Sequence, residues 1–404
     1  MLAELTKTDI LLYISIPITS GLVGWFTNYL ALKMTFYPIE FIGIRPIGWQ
    51  GIIPSKTKKM AEKSVDLLTV KLLRMEEQFA KIDPHKVAEE MRASLMEISV
   101  KLTDEVMDAQ IPDLWHRTPK AIKQGVYEAA EEILPEVVEE MMIDIKTHIN
   151  ELIDLKRLSV GILMKDKTLV NEIFLKCGKE EFKFIERSGF YFGFLFGFSQ
   201  MVIFYFFKPW WILPLFGLIV GYITNWLAIK LIFEPRRPKK YGPLVLQGLF
   251  QKRQQEVAKE YSEIISSRIL TTEGLFEYML RGPGSVKLAE LLKIHIEKVV
   301  DHTAGVSGTI MKMISGEERM KVIKNIVFFR FMQELPISIR QVFGYAEESL
   351  DLKNNLRTKM SALSPEEFEG FLRPAFQEDE ITLILVGAVL GCMAGFAQYF
   401  ILFG

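Results

Sequence analysis

Cysteine is nearly missing from this 404-residue chain, which carries only Cys177 and Cys392. Cys392 lies in an apolar run and Cys177 in a charged one, so neither a disulfide framework nor a thiolate metal site follows. Histidine is almost as sparse. His85, His116, His148, His295 and His302 are scattered without metal-ligand spacing, and no cofactor is expected. No excess of charge exists either. The 49 basic and 50 acidic residues leave a net charge of −1, which gives no reason to expect nucleic acid as a partner. Catalytic signatures are missing too: no H-E-x-x-H, no G-x-S-x-G and no Walker A loop. Gly282-Pro283-Gly284-Ser285-Val286-Lys287 has the glycines of a phosphate loop, but its proline and helical surroundings read as a turn. The chain is expected not to be an enzyme.

What the sequence does have is concentrated apolar length. A hydrocarbon core of ~30 Å needs about 20 apolar residues in a helix. Four segments meet that length, at residues 10–34, 190–207, 210–233 and 381–403. Only Lys208 and Pro209 separate the second from the third, which predicts a tight helical hairpin. Lys208 beside Trp210 and Trp211 fits a headgroup-level anchor. Residues 55–188 and 236–380 form two long charged segments between the spans.

The halves repeat. A shift of 197 positions lays the first span on the third without a gap. Pro17 falls on Pro214, Gly24 on Gly221, and Thr27-Asn28 on Thr224-Asn225. Leu30, Ala31 and Lys33 fall on Leu227, Ala228 and Lys230. The match continues into Pro38 on Pro235, Pro46 on Pro243, and Gln50-Gly51 on Gln247-Gly248. The second and fourth spans agree as well. Gly189, Gly193 and Gly197 precede Phe198-Ser199-Gln200, and Gly387, Gly391 and Gly395 precede Phe396-Ala397-Gln398. Each repeat holds an even number of spans, so both copies run the same way through the membrane. The fold class expected is all-α and integral to the membrane. It has four transmembrane helices in a parallel duplication and two large helical extramembrane segments on one side.

Both extramembrane segments are patterned at helical spacing. Val65, Leu68, Leu72 and Met75 form one stripe. Ile133, Val137, Val138, Met141 and Met142 form another. A third comprises Leu288, Leu291, Leu292, Ile294, Ile296 and Val299. Such amphipathic helices need an apolar partner, which is either the core of a helical bundle or a groove that accepts a lipid or partner helix. Breaks are expected at Asp83-Pro84, Ile111-Pro112, residues 282–284 and Leu335-Pro336. No strand-period run of useful length occurs.

Three groups of residues are candidates for function. Thr27, Asn28 and Lys33, with Thr224, Asn225 and Lys230, place polar groups in or beside the membrane. An unpaired amide in hydrocarbon costs several kcal/mol, so Asn28 and Asn225 should bond to a neighbouring helix or to each other. They act either as polar glue or as the lining of a lipid or solute path, while Lys33 and Lys230 snorkel toward headgroups. The second group is basic: Arg45, Lys56, Lys58 and Lys59 after the first span, and Arg236, Arg237, Lys239 and Lys240 after the third. Beside a span, such clusters suit anionic headgroups or fix orientation during insertion. The third group is the four-spaced glycines, Gly189, Gly193 and Gly197 with Gly387, Gly391 and Gly395, which let helices pack closely. Pro17 and Pro214 should each kink a helix by removing a ladder bond.

These motifs resemble those of the YheB/YjiN-like bacterial membrane proteins, a family defined as a domain of unknown function. The G-x-x-T-N-x-L-A-x-K stretch occurs twice, followed by P-x-x-x-Q-G. The run S-G-x-Y-F-G-F-L-F-G-F-x-Q and the glycine-rich final span complete the likeness over essentially the whole chain. Pro54 of the first copy is Gln251 in the second, a departure from the pattern. The resemblance implies the bacterial cytoplasmic membrane and supplies no activity. Lysine and arginine crowd the membrane ends of the large segments, against Lys7 and Lys208 on the other face. The positive-inside rule then puts those segments in the cytoplasm. Two functions fit: a non-enzymatic scaffold with a protein partner or self-association, or a binding or transport protein for lipid or amphiphile. Membrane lipids, anionic ones above all, are the expected partners.

Overall fold

The computed structural model describes residues 7–44, 47–207, 209–306, 317–377 and 380–403. Arg45, Pro46 and Lys208 lie outside the described residues. Among the described residues the chain is all-α apart from two short hairpins. Its long elements in chain order begin with α1 (Lys7–Phe36), strands β1 (Ile42–Ile44) and β2 (Ile47–Trp49), and α2 (Thr57–Leu67). Then follow α3 (Pro84–Gln110), α4 (Lys120–Thr147), α5 (Lys167–Cys177) and α6 (Lys179–Phe206). The second half opens with α7 (Ile212–Phe233), β3 (Lys239–Tyr241), β4 (Leu244–Leu246) and α8 (Gln254–Ile264). It closes with α9 (Ser285–Val306), α10 (Glu317–Ser338), α11 (Pro365–Gln377) and α12 (Glu380–Phe403).

The order of elements recurs. After α1 and after α7 come a cis proline, a two-stranded antiparallel hairpin, a four-residue helix, an eleven-residue helix and a five-residue π-helical turn. The hairpins are short additions to an otherwise helical chain, without a strand-period run of useful length. Three residues per strand are too few to show a period of two. The departure at Gln251 has a structural partner. Its side chain is buried and donates from Nε2 to the Pro365 carbonyl at 3.0 Å, whereas Pro54 is buried within a short helix.

The chain divides into two compact units. Unit 1 comprises Met1–Leu68, Val160–Ile264 and Leu356–Gly404; unit 2 comprises Thr69–Ser159 and Ile265–Asn355. In unit 1, α1 packs against α6 and α7 against α12, with α6 beside α7 and α1 beside α12. Among the described helices α6, α7 and α12 are long and apolar enough to cross a membrane. The 30-residue α1 is their packing partner. Exposed apolar side chains recur at three and four along the outer faces: Leu11, Ile14, Ile18 and Leu22 on α1, and Ile381, Leu385 and Val389 on α12. In water such stripes would be an aggregation hazard. Pro17 sits inside α1 as expected, but Pro214 is the third residue of α7. There its missing N–H has no helical partner to lose, which removes the reason for a kink.

In unit 2, helices α3, α4, α9 and α10 close a ring in which each packs on the next. Asp83 caps α3, its side chain accepting from His85 N–H at 3.0 Å, with Pro84 at the first helical position. Pro336 does not end α10, which continues to Ser338 before a single 3-10 turn. Of the expected stripe on α9, Leu288, Leu291, Leu292 and Ile296 are buried, but Ile294 is 64% exposed. It falls two positions from either neighbour and so onto the opposite face.

Candidate functional site

Among the described residues one place in each unit stands out, the first for buried polar groups and the second for unfilled apolar space. The first lies where the helices of unit 1 cross. Glycines bring the backbones into direct contact. A Cβ added at Gly24 would overlap the Gly189 carbonyl, and one at Gly221 would overlap that of Gly387. Gly193 abuts Ser20, Gly197 abuts Pro17, Gly391 abuts Gly217, and Gly395 abuts Leu213 and Pro214.

Beside these crossings Asn28 and Asn225 are 0% and 1% exposed. Asn28 Nδ2 donates to the Ile185 carbonyl on α6 at 2.8 Å, and Asn225 Nδ2 to the Leu383 carbonyl on α12 at 3.1 Å. Each amide therefore bonds to the neighbouring helix and not to its counterpart. Their Oδ1 atoms are buried without a hydrogen-bond partner among the described residues. Thr27 and Thr224 turn inward, bonding the carbonyls of Gly24 and Gly221. Lys33 lies over the rings of Tyr29 and Tyr37, and Lys230 lies 4.9 Å from the centre of the Trp226 ring. A second polar level sits farther along the same helices. Ser20 Oγ donates to Gln200 Oε1, and Gln398 Nε2 donates to Thr19 Oγ1, both at 2.7 Å. The two glutamines mark the repeat in the sequence, but nothing there shows that they meet α1.

The basic clusters separate once their partners are seen. Arg236 pairs with Glu369, which is 2% exposed and also pairs with Arg373. Arg237 pairs with Glu366 at 3.2 Å. The Glu366 carboxyl lies below the usual range, first because of a backbone hydrogen bond and then through Arg237. These two arginines tie α11 to the end of α7. Lys239 and Lys240 stand exposed on β3, and Lys58 is exposed on α2. Lys56 and Lys59 have interaction partners of their own. A further pair escaped sequence reasoning. Arg253 bonds the buried carboxylate of Glu181, and its guanidinium also meets Glu256 at 2.9 Å.

The second place is an apolar cavity of about 130 Å³ inside unit 2. Leu95, Leu102, Val137, Ile296, Val299 and Val327 are among its walls, contributed by all four helices of the ring. At one end of the cavity Trp115, which is 1% exposed, packs behind the lining residues Val106, Val126 and Ile323. Asp104 fixes that end by accepting from Trp115 Nε1 at 3.0 Å and from the Tyr127 hydroxyl at 2.6 Å. Burial, aided by this bond, pushes the Tyr127 phenol up to about 12. His295 also lines the cavity, its Nε2 2.8 Å from Asp144 Oδ2. Ion pairs join each neighbouring pair of helices: Arg92 to Glu131, Lys298 to Glu136 and Glu140, Lys324 to Asp301, and Lys101 to Glu334. Exposed pairs of this kind add little to stability. The stripes on α4 and α9 announced an apolar interface, but not that their packing would leave space.

Comparison with known proteins adds a coarse identity. Over 87 residues the chain is 31% identical to a UPF0754 membrane protein of Bacillus mycoides (strain KBAB4). That match covers 21% of this chain and 23% of the relative. A UPF0754 membrane protein of Bacillus anthracis (strain A0248) matches to the same extent. One from Bacillus cereus (strain ATCC 10987 / NRS 248) is 28% identical over 99 residues, 24% of this chain and 26% of the relative. The chain thus matches about a quarter of the length of these curated relatives. No protein-family model matches it, and no solved structure does. The relatives do not carry the YheB/YjiN name that the motifs suggested. Over the matched stretch, the chain is related to bacterial membrane proteins of unknown function.

Proposed function

We propose that the chain is a four-span protein of the bacterial cytoplasmic membrane, built by parallel duplication, that holds an apolar ligand of acyl-chain character in unit 2. The observation that carries the reading is the cavity walled by α3, α4, α9 and α10. Natural cores pack with few voids larger than a water. An apolar space of ~150 Å³ elsewhere stays dry and takes up benzene. A cavity of about 130 Å³ therefore suits a short stretch of hydrocarbon. His295 and Asp144 supply polar atoms beside that space. The role is binding or carriage without catalysis. The recurring element order and the paired contacts of Asn28 and Asn225 support duplication. By chain connectivity, an even number of spans per copy leaves both long segments on one side. The lysine and arginine asymmetry favours the cytoplasm.

A scaffold role is the second reading. It is favoured by Ile294, Phe329 and Ile337, which are 64%, 65% and 68% exposed and suit a protein partner or a second copy. Titration of a fluorescent polyene fatty acid into the detergent-solubilised protein separates the two. Ala130 lines the cavity and is buried, so Ala130→Phe should abolish saturable binding while helical circular dichroism is retained. Equal binding by a folded Ala130→Phe variant would overturn the ligand reading and leave the scaffold.

A further inference from the structure

The hairpins that follow α1 and α7 are short, yet their apolar residues are not tucked away. Ile42, Ile44 and Ile47 of the first are 67%, 84% and 83% exposed. Val245 and Leu246 of the second are 49% and 47% exposed. A lone two-stranded hairpin is at best marginal in water, so exposed isoleucines on one call for an apolar neighbour.

The first hairpin is nevertheless closely specified. Trp49 Nε1 fastens it to the end of α1 by donating to the Met34 carbonyl at 3.3 Å, and Gln50 Nε2 donates to the Ile39 carbonyl, in the connection between α1 and β1, at 2.7 Å. Gly43 has φ +126°, and a Cβ there would overlap Gly48 across the strand pair. A Cβ on Gly48 would strike the Phe41 ring. The chain thus uses two glycines and a tryptophan clamp to hold isoleucines away from the protein.

We propose that these hairpins are interfacial wedges, inserting into the membrane at the boundary between headgroups and acyl chains. The occupant of their apolar faces is lipid because of where they are tied. Each follows within a few residues of the helix end where Lys33 covers Tyr29 and Tyr37, or Lys230 covers Trp226. Lysine and aromatic rings together mark the headgroup level. The helix that leads to the first hairpin, α1, also exposes apolar side chains, among them Ile18, Leu22 and Phe26. The two wedges differ in chemistry. Ile44 pairs with Ile47 in the first, so its described strand residues offer only apolar and glycine contacts beside Trp49. In the second, Lys239 pairs with Leu246 and Lys240 with Val245. That pairing sets ammonium groups beside apolar side chains, which suits shallower seating among phosphates. The inference rests on the reading of α1 and α7 as membrane spans.

The test uses the full chain with Cys177→Ala and Cys392→Ala, reconstituted into vesicles of phosphatidylethanolamine and phosphatidylglycerol. Single cysteines at Ile44, Ile47, Val245 and, as control, Val389 on α12 are labelled with an environment-sensitive fluorophore. Quenching by doxyl-labelled lipid is compared with quenching by aqueous iodide. The expected result is blue-shifted emission at Ile44 and Ile47 with loss of fluorescence to doxyl lipid and little to iodide. Val245 should be quenched by shallow doxyl positions. Iodide quenching at Ile44 and Ile47, with Val389 still quenched by doxyl lipid, would overturn the wedge and leave the spans standing. Iodide quenching at Val389 would overturn the spans themselves. Shielding of Ile44 and Ile47 from both quenchers would overturn the wedge in favour of a protein partner.

Discussion

Replacing single glycines by alanine should give opposite signs at two positions of unit 1, and the structure says which. At Gly189 a Cβ would run into the Gly24 carbonyl and come within 2.7 Å of Asn28 Nδ2. The contact is backbone against backbone, so no flexible side chain can yield. Relief requires α1 and α6 to separate, which stretches the bond from Asn28 to the Ile185 carbonyl. Overpacking of this kind costs about 1–3 kcal/mol, and a hydrogen bond between membrane helices contributes roughly 0.6 kcal/mol, at most ~1.7. Gly189→Ala should therefore destabilise by about 2–4 kcal/mol, the sum of those terms. At Gly387 the Cβ would instead overlap the Asn225 amide, so Gly387→Ala should act through the Asn225 bond to the Leu383 carbonyl and cost less than Gly189→Ala. Gly370 is the contrast. It lies within α11 with nothing within 4 Å of its Cβ position. Alanine there should stabilise by roughly 0.5–1 kcal/mol through lower chain entropy. Reversible unfolding in mixed micelles, followed by circular dichroism as the denaturing detergent fraction rises, measures all three. If Gly189→Ala is neutral or as stabilising as Gly370→Ala, the close crossing is wrong.

Arg253→Ala leaves Glu181 buried without its cation and should cost about 3–5 kcal/mol; adding Glu181→Gln should restore much of it in the same assay. His85 is held above its ordinary value by its hydrogen bond to Glu139. The contribution of that contact should be complete below pH 6.5, the unperturbed imidazole value, and fade as pH rises through the folded value. A His85→Gln variant should lack that slope in thermal melts. Trp115→Ala should cost about 3–5 kcal/mol by leaving a void against Val106, Val126 and Ile323, read as a lower midpoint in urea. A cysteine at Lys239 should resist a membrane-impermeant reagent in intact cells and react after permeabilisation; labelling before permeabilisation would reverse the orientation.

How far the sequence discloses this molecule depends on range. The apolar runs show where long helices lie, and an amide in an apolar run has nowhere to go but inward, as with Asn28 and Asn225. The glycine spacing announced close packing because it is a property of one helix face. Pairings at a distance were invisible. Arg236 reads as a free basic residue until Glu369 is seen beside it, 133 positions later. The hairpins are too short for a periodicity signal. The cavity arises from how four helices fail to fill their common centre, which no single stripe encodes.

Unit 2 draws Thr69–Ser159 from the first half of the chain and Ile265–Asn355 from the second. That discontinuity imposes an order on biogenesis. When α3 and α4 leave the ribosome, the helices that complete their ring have not been made. Residues 160–264 must be synthesised first, which takes roughly 5–20 s at ~5–20 residues per second. During that interval Leu95, Leu102 and Val137 face solvent, a chaperone or the membrane surface. The bundle then closes by joining strangers in sequence, so loop-closure entropy is met only at the end. A ribosome that stalls after α7 would leave α3 and α4 without the helices that complete their ring, and half a cavity with its apolar face open.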